Sequence, residues 1–150
     1  MKLKTIALVA HDSRKKELIE WAEYNKFTLC NYELFATGTT GKLLENISFD
    51  DETTLTVTRL MSGPLGGDQQ IGAMIAEGKI DMLIFFCDNL AVQGHQNDVS
   101  ALSRLASLYN IPFATNRTTA DMIMTSPLFN NNNYHRIVPS IIESYRNRIL

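Results

Sequence analysis

A chain of 150 residues with 45% apolar and 20% charged side chains is most simply one globular domain spanning 1–150, long enough to bury roughly two-thirds of its unfolded surface without metal or disulfide support. The formal net charge of −2 gives no general electrostatic case for nucleic acid or a membrane surface. Only Cys30 and Cys87 are available for sulfur chemistry. Both sit in apolar surroundings and read as reduced, buried thiols of a cytoplasmic protein.

Along the chain, short apolar runs alternate with amphipathic stretches. Ile6 to Ala10 is a buried-strand pattern. Its apolar run is too short for a signal peptide and ends at His11-Asp12. Leu18, Ile19, Trp21 and Ala22 then recur at helical spacing. Tyr32 to Ala36 is a second strand and Gly41 to Asn46 a short helix. Leu55 to Met61 is a third strand, followed by a helix over Asp68 to Ala76. Met82 to Phe86 is the most apolar strand and is expected near the middle of the sheet, because parallel strands covered on both faces are apolar throughout. A helix from Asp98 to Tyr109, a fifth strand from Ile111 to Ala114, and helices over Thr119–Thr125 and Ser140–Ile149 complete the order. Asn130 to Asn133 reads as a surface loop. Five β-then-α units with short connections predict a three-layer α/β/α fold with a doubly wound, five-stranded parallel sheet. No stretch reaches the length of a transmembrane helix.

In such folds ligands bind beyond the carboxyl ends of the strands, so the segments following the strands carry the functional signal. After strand one, Asp12 or Ser13 can cap a helix, while Arg14, Lys15 and Lys16 oppose its dipole by about 0.3–1 kcal/mol each. Three cations there fit either an anionic ligand or ordinary solvated charge. After strand two, Thr37-Gly38-Thr39-Thr40-Gly41 offers hydroxyls, accessible N–H groups and a helix start, a neutral cradle suited to phosphate. It lacks the G-x-x-x-x-G-K-[ST] spacing, and no G-x-G-x-x-G follows strand one. After strand three, Ser62-Gly63-Pro64-Leu65-Gly66-Gly67-Asp68-Gln69-Gln70 places one carboxylate at a glycine-rich turn. Asp68 is either a helix N-cap or a base facing a ligand laid against bare backbone. After strand four come Asp88, the loop residue His95, and Asp98 as a cap of the next helix. The two carboxylates could orient His95 and fix its tautomer. His135 has no such company and reads as structural.

His11, Asp12, Asp68, Asp88, His95 and Asp98 thus gather beside groups suited to phosphate, with no metal-ligand spacing and no nucleophile elbow. Carboxylate, imidazole and phosphate cradle together suggest proton transfer on a small phosphorylated carbonyl compound.

Ala10-His11-Asp12, Ala36 to Gly41, Ser62 to Gln70, Leu83 to Phe86 and Ile111 to Asn116 closely resemble the methylglyoxal synthase family, in its order and over nearly the whole chain. The resemblance implies a carbon–oxygen lyase that converts dihydroxyacetone phosphate to methylglyoxal and inorganic phosphate through an ene-diolate, with no cofactor and no metal. It assigns Asp68 as the base and His95 as the histidine assisting proton movement at the ene-diol oxygens. His11, Asp12, Asp88 and Asp98 are the surrounding acid–base groups. Lys15, Thr37, Gly38, Thr39, Thr40, Ser62 and Gly63, with His11 and His95, are the binders of substrate phosphate. It further implies a cytoplasmic homohexamer inhibited by phosphate, with Arg148 at a contact between subunits. Cys87 and Asn89 stand where the family has Trp and Pro, and Gln96-Asn97 replaces Asp-Pro. These departures motivate the alternative of a non-catalytic phosphate- or nucleotide-binding regulatory domain on the same fold.

Overall fold

The computed structural model describes residues 3–49, 53–90 and 96–148, with the side chains of 96–98 excepted. Five parallel strands form one sheet: β1 (Thr5–Ala10), β2 (Glu33–Thr37), β3 (Val57–Leu60), β4 (Met82–Phe86) and β5 (Phe113–Ala114), in the order β3-β2-β1-β4-β5. The expected α/β architecture is therefore present. All six residues of β1 and all five of β4 are buried, as the apolar runs Ile6–Ala10 and Met82–Phe86 require of strands covered on both faces. β1 holds the centre and β4 flanks it, with Leu8 in register with both Ala36 and Ile84.

The helices are α1 (Lys15–Tyr24), α2 (Lys26–Leu29), α3 (Gly38–Glu45), α4 (Gly67–Ala76), α5 (Gln96–Leu108), α6 (Arg117–Met124) and α7 (Ser140–Arg146). Two apolar clusters lie on opposite faces of the sheet. Leu18, Trp21, Leu44, Ala120 and Met124 pack with Ile6, Leu8, Ile84 and Phe86 on one face. Ile71, Ile75, Leu102 and Ala106 pack with Ala7, Val9, Leu83 and Phe85 on the other. The period-2 alternation of strand side chains divides the two sets. Trp21 adds a polar tie, its indole N–H donating to Oδ1 of Asp121 at 2.8 Å and joining α1 to α6.

Several boundaries differ from expectation. β5 has only two residues: Ile111 gives its N–H back to Ala106 O at 2.9 Å, and Pro112, with no N–H to donate, joins the ladder only by accepting the Leu83 N–H at 3.0 Å. α6 starts at Arg117, earlier than predicted, because the Asn116 side chain accepts the Thr119 N–H and caps it. The expected terminal helix ends at Arg146; Ile149 lies outside the described residues. Cys30 is exposed and only Cys87 is buried, since Cys30 follows the short α2 and faces outward. No helix among the described residues is long and apolar enough to cross a membrane.

The strand order reverses between β1 and β4, and that is where the carboxyl ends open a crevice. The two strand ends are tied there: the backbone N–H of His11, the residue after β1, donates to Phe86 O at the end of β4 at 3.1 Å.

Candidate active site

A cavity of about 500 Å³ occupies this crevice, lined among others by His11, Asp12, Lys15, Thr37, Gly38, Thr39, Thr40, Ser62, Gly63, Asp68 and Asp88. The sequence separates these residues by up to 77 positions. The sheet brings them together because each lies at the carboxyl end of a strand or at the start of the turn or helix that follows it.

The Thr37–Gly41 segment is the start of a helix rather than a loop before one. Thr37 is the N-cap residue of α3, with extended backbone, and Gly38 to Gly41 already belong to the helix. The first N–H groups of α3 therefore have no partner one turn earlier within the helix. Thr37 and Thr40 are buried, at 6% and 1% exposure. Among the described residues the Thr40 hydroxyl oxygen has no hydrogen-bond partner. Thr39 is exposed. Gly38 has φ of +38°, and a Cβ on it would lie 2.7 Å from Cα and Cβ of Ser62. Only glycine lets the two turns sit this close.

The Ser62–Gly67 turn is similarly constrained. Ser62 O accepts N–H groups from Leu65 and Gly67 at 3.0 and 2.9 Å, folding Gly63–Leu65 into a 3-10 turn. Gly66 closes that turn at φ of +109° and is the N-cap residue of α4. Asp68 is thus not the N-cap; it is the second residue of the helix. It is 8% exposed and lies over Gly63, where an added Cβ would stand 3.3 Å from the Asp68 Oδ2. A carboxylate in the first turn of a helix is favoured in its charged form. Gln70, three residues from Gly67, accepts the Met61 N–H on Oε1 at 2.8 Å and fixes the strand end to α4.

On the other wall, Lys15 Nζ donates to Ala10 O at 3.1 Å and pairs with Asp12 Oδ1 at 2.6 Å. The Asp12 side chain is fully exposed, so it neutralises Lys15 from the solvent side. Of the three basic residues in 14–16, Lys15 lines the cavity. Arg14 turns away to Glu17 and to Cys87 O, and Lys16 is exposed. Neither Asp12 nor Ser13 caps α1, whose N-cap position is taken by Arg14. Ser13 Oγ instead donates to Asp88 Oδ2 at 2.6 Å, and Asp88 Oδ1 accepts the Leu90 N–H at 3.0 Å. The Asp88 backbone N–H donates to Nδ1 of His11 at 2.8 Å, while the imidazole meets the edge of Phe85 with ring centroids 5.0 Å apart. Burial pushes the Cys87 thiol above its ordinary pKa, partly offset by the nearby charge of Arg14.

His95 lies outside the described residues, as does the side chain of Asp98; Asp98 falls within the first turn of α5, which begins at Gln96, and so does not cap it. Arg148 is not among the residues lining this cavity; its guanidinium is stacked 4.0 Å from the Tyr145 ring and bonded to Tyr145 Oη at 2.9 Å. Among the described residues no group of three or more His, Cys, Asp or Glu side chains is placed to hold a metal ion. A larger cavity of about 870 Å³, lined by Lys4, Asp81, Pro112, Phe129, His135 and Arg136 among others, opens at the opposite end of the sheet. Lys4, Asp81 and Pro112 precede β1, β4 and β5 there.

The model of the MGS-like domain family matches residues 17–115, which include the cradle, the glycine-rich turn and Asp88. The chain is 51% identical to methylglyoxal synthase of Coxiella burnetii over 150 residues, covering 100% of both proteins. The chain belongs to the methylglyoxal synthase family. It is also 57% identical over 136 residues to the enzyme of that name from Pseudoalteromonas atlantica, covering 91% of this chain and 97% of the relative. The crystal structure of methylglyoxal synthase from Elizabethkingia anophelis superposes with a TM-score of 0.84 at 43% identity, covering 99% of this chain and 93% of that one. Membership makes the chain a lyase acting on a small molecule.

Sequence patterns do not show the connections among these residues. Ser13 reads as a possible cap, Arg14 as either an anion binder or solvated charge, and Gln70 only as the end of the glycine-rich segment. Their partners Asp88, Cys87 and Met61 lie across chain crossings that no local spacing encodes.

Proposed function

We propose that the chain acts as one domain that converts dihydroxyacetone phosphate to methylglyoxal and inorganic phosphate. The observation that carries this reading is the shared cavity: the buried carboxylate of Asp68 and the Thr37–Thr40 cradle face one space of about 500 Å³.

The phosphate of the substrate rests on the first turn of α3, receiving backbone N–H groups and the hydroxyls of Thr37, Thr39 and Thr40. Ser62 and Gly63 close the far side, and Lys15 supplies positive charge. With the phosphate so held, the carbon bearing the hydroxyl lies toward Asp68, which removes one of its protons. An ordinary carboxylate is a modest base for a carbon acid, so the neighbouring carbonyl must be polarised by hydrogen-bond donors. His11 contributes from the end of β1, and His95 completes the set by moving a proton at the ene-diol oxygens. Asp12, Asp88 and Asp98 complete the set of acid–base groups. The ene-diolate then pushes out the phosphate: the C–O bond breaks, its electron pair leaves with the phosphate, and the remaining enol gains a proton at the terminal carbon to become methylglyoxal. Atoms balance without a co-reactant. Elimination rather than isomerisation requires the C–O bond to stand out of the ene-diolate plane, an orientation the cradle sets by holding the phosphate apart from Asp68.

A cytoplasmic homohexamer inhibited by free phosphate belongs to the same proposal. Phosphate released in the reaction competes for the α3 cradle. The exposed apolar side chains Ile137, Val138, Ile141 and Tyr145, with Arg148 beside them, suit a contact between subunits. The decisive experiment incubates purified protein with dihydroxyacetone phosphate and measures methylglyoxal and phosphate together. Equimolar release well above the buffer rate is expected. Turnover no faster than buffer, with calorimetric binding of phosphate retained, would replace this reading by that of a regulatory binding domain.

A further inference from the structure

We propose that Ser13 is a positioning residue of this site, holding Asp88 so that the Asp88 backbone fixes His11 as the Nε2–H tautomer. The proposal rests on the synthase reading for its kinetic consequence but not for its structural one.

Nδ1 of His11 accepts the Asp88 N–H at 2.8 Å. A ring nitrogen that accepts a hydrogen bond carries no proton, so the proton of the neutral imidazole is on Nε2. His11 lines the cavity and is thereby kept as a donor, the form needed to polarise a carbonyl or to bond a phosphate oxygen. A backbone amide can do this only if its peptide plane is held. The plane in question lies in the segment just past β4, where ladder pairing has ended. It is held from both sides. Arg14 Nη1 donates to Cys87 O at 2.9 Å, on the same peptide unit whose N–H serves His11. Ser13 Oγ donates to Asp88 Oδ2 at 2.6 Å, and Oδ1 of that carboxylate accepts Leu90 N–H at 3.0 Å. Ser13 and Arg14 belong to the same 3-10 turn that begins beside His11. The turn after β1 therefore grips the segment after β4 at the point where the strand order reverses, and each end orients the other.

A short hydrogen bond to a charged acceptor is the stronger kind, so Ser13 is the member of this set whose loss should be felt at His11. It is exposed and packs in neither apolar cluster, so its removal should leave the fold intact. Misplacement by about 1 Å can cost ~10²-fold in rate. Partial release of one ring should therefore lower kcat about tenfold with KM changed less than about twofold.

The test compares wild type, Ser13→Ala and Ser13→Thr by 15N NMR of the histidine side chains and by steady-state kinetics, with thermal melting as a control. Wild type should show a pyridine-type Nδ1 and a pyrrole-type Nε2 for His11. Ser13→Ala should show the two forms averaging, with kcat lowered and melting unchanged, and Ser13→Thr should restore both. A single unaltered tautomer in Ser13→Ala overturns the proposal. So does a mixed tautomer accompanied by wild-type kcat. If wild type has no synthase activity, the NMR comparison still decides the structural part separately.

Discussion

Gly67 is pressed against the carbonyl oxygen of Met61: a Cβ on Gly67 would fall 2.0 Å from that oxygen and 2.9 Å from Cγ2 of Thr37. This contact sets the distance between the end of β3, the cradle and Asp68, and it separates the glycines of the turn by purpose. Gly67 is required by space. Gly66 is required by its φ of +109° and has nothing within 4 Å of the Cβ position. Gly67→Ala should therefore cost about 1–3 kcal/mol, the usual penalty of overpacking, and should displace Asp68 with a large fall in kcat. Gly66→Asn should be milder than Gly66→Ala, because asparagine tolerates left-handed backbone better. Denaturant midpoints and kcat for the three variants check this; equal behaviour of Gly67→Ala and wild type would show that the turn has slack.

Asp68→Asn removes the charge while keeping the shape. The carboxylate is buried over Gly63 and is not the N-cap of α4, so the helix start should survive the change. The loss of a general base should lower kcat by about 10²–10⁴-fold. Substrate binding, followed by calorimetry in the inactive variant, should persist because the cradle is untouched. Retained turnover in Asp68→Asn would move the base elsewhere in the cavity.

Thr40 allows stability and function to be pulled apart. Its hydroxyl is 1% exposed and has no hydrogen-bond partner among the described residues. Leaving a buried hydroxyl unsatisfied costs about 1–3 kcal/mol, so Thr40→Val should melt at the same temperature as wild type or higher. If the hydroxyl is kept for phosphate, the same variant should raise KM and weaken phosphate binding severalfold. A variant that is both more stable and equally active would remove Thr40 from the binding set.

The legible part of the fold follows from local chemistry. Uninterrupted apolar runs mark β1 and β4, turn residues mark where each strand ends, and the rule for doubly wound sheets places His11, Thr37–Thr40, Ser62–Asp68 and Asp88 at one edge. Boundaries are harder. The three glycines of 63–67 look alike in sequence, yet one relieves a clash, one supplies φ and one makes room for a carboxylate. The helix therefore starts at Gly67, and Asp68 is not its cap. Ser13 and Asp88 are 75 positions apart, so no periodicity connects them; only the β1–β4 pairing does. Cys30 departs from expectation for the opposite reason, since apolar neighbours in sequence need not be neighbours in the packed chain.

The thiols give a prediction that depends on pH. Cys87 is buried against β4 and its pKa is raised by desolvation, with Arg14 opposing in part. In the unfolded chain the thiol ionises near its ordinary value of about 8.5; in the folded protein it resists ionisation to higher pH. Below that ordinary value both states hold the proton and Cys87 has no effect on the pH dependence. As pH rises past it, the unfolded state gains by losing a proton that the folded state keeps, so stability falls until the folded-state thiol ionises as well. Cys87→Ala should be less stable than wild type at neutral pH, because it leaves a cavity, but its stability should decline less steeply from about pH 8.5 upward. Alkylation by iodoacetamide should modify the exposed Cys30 first and Cys87 only slowly. Denaturant titrations across the alkaline range, with mass spectrometry of the alkylated protein, check both; parallel alkaline declines in wild type and Cys87→Ala would mean that the folded protein ionises this thiol as easily as the unfolded chain does.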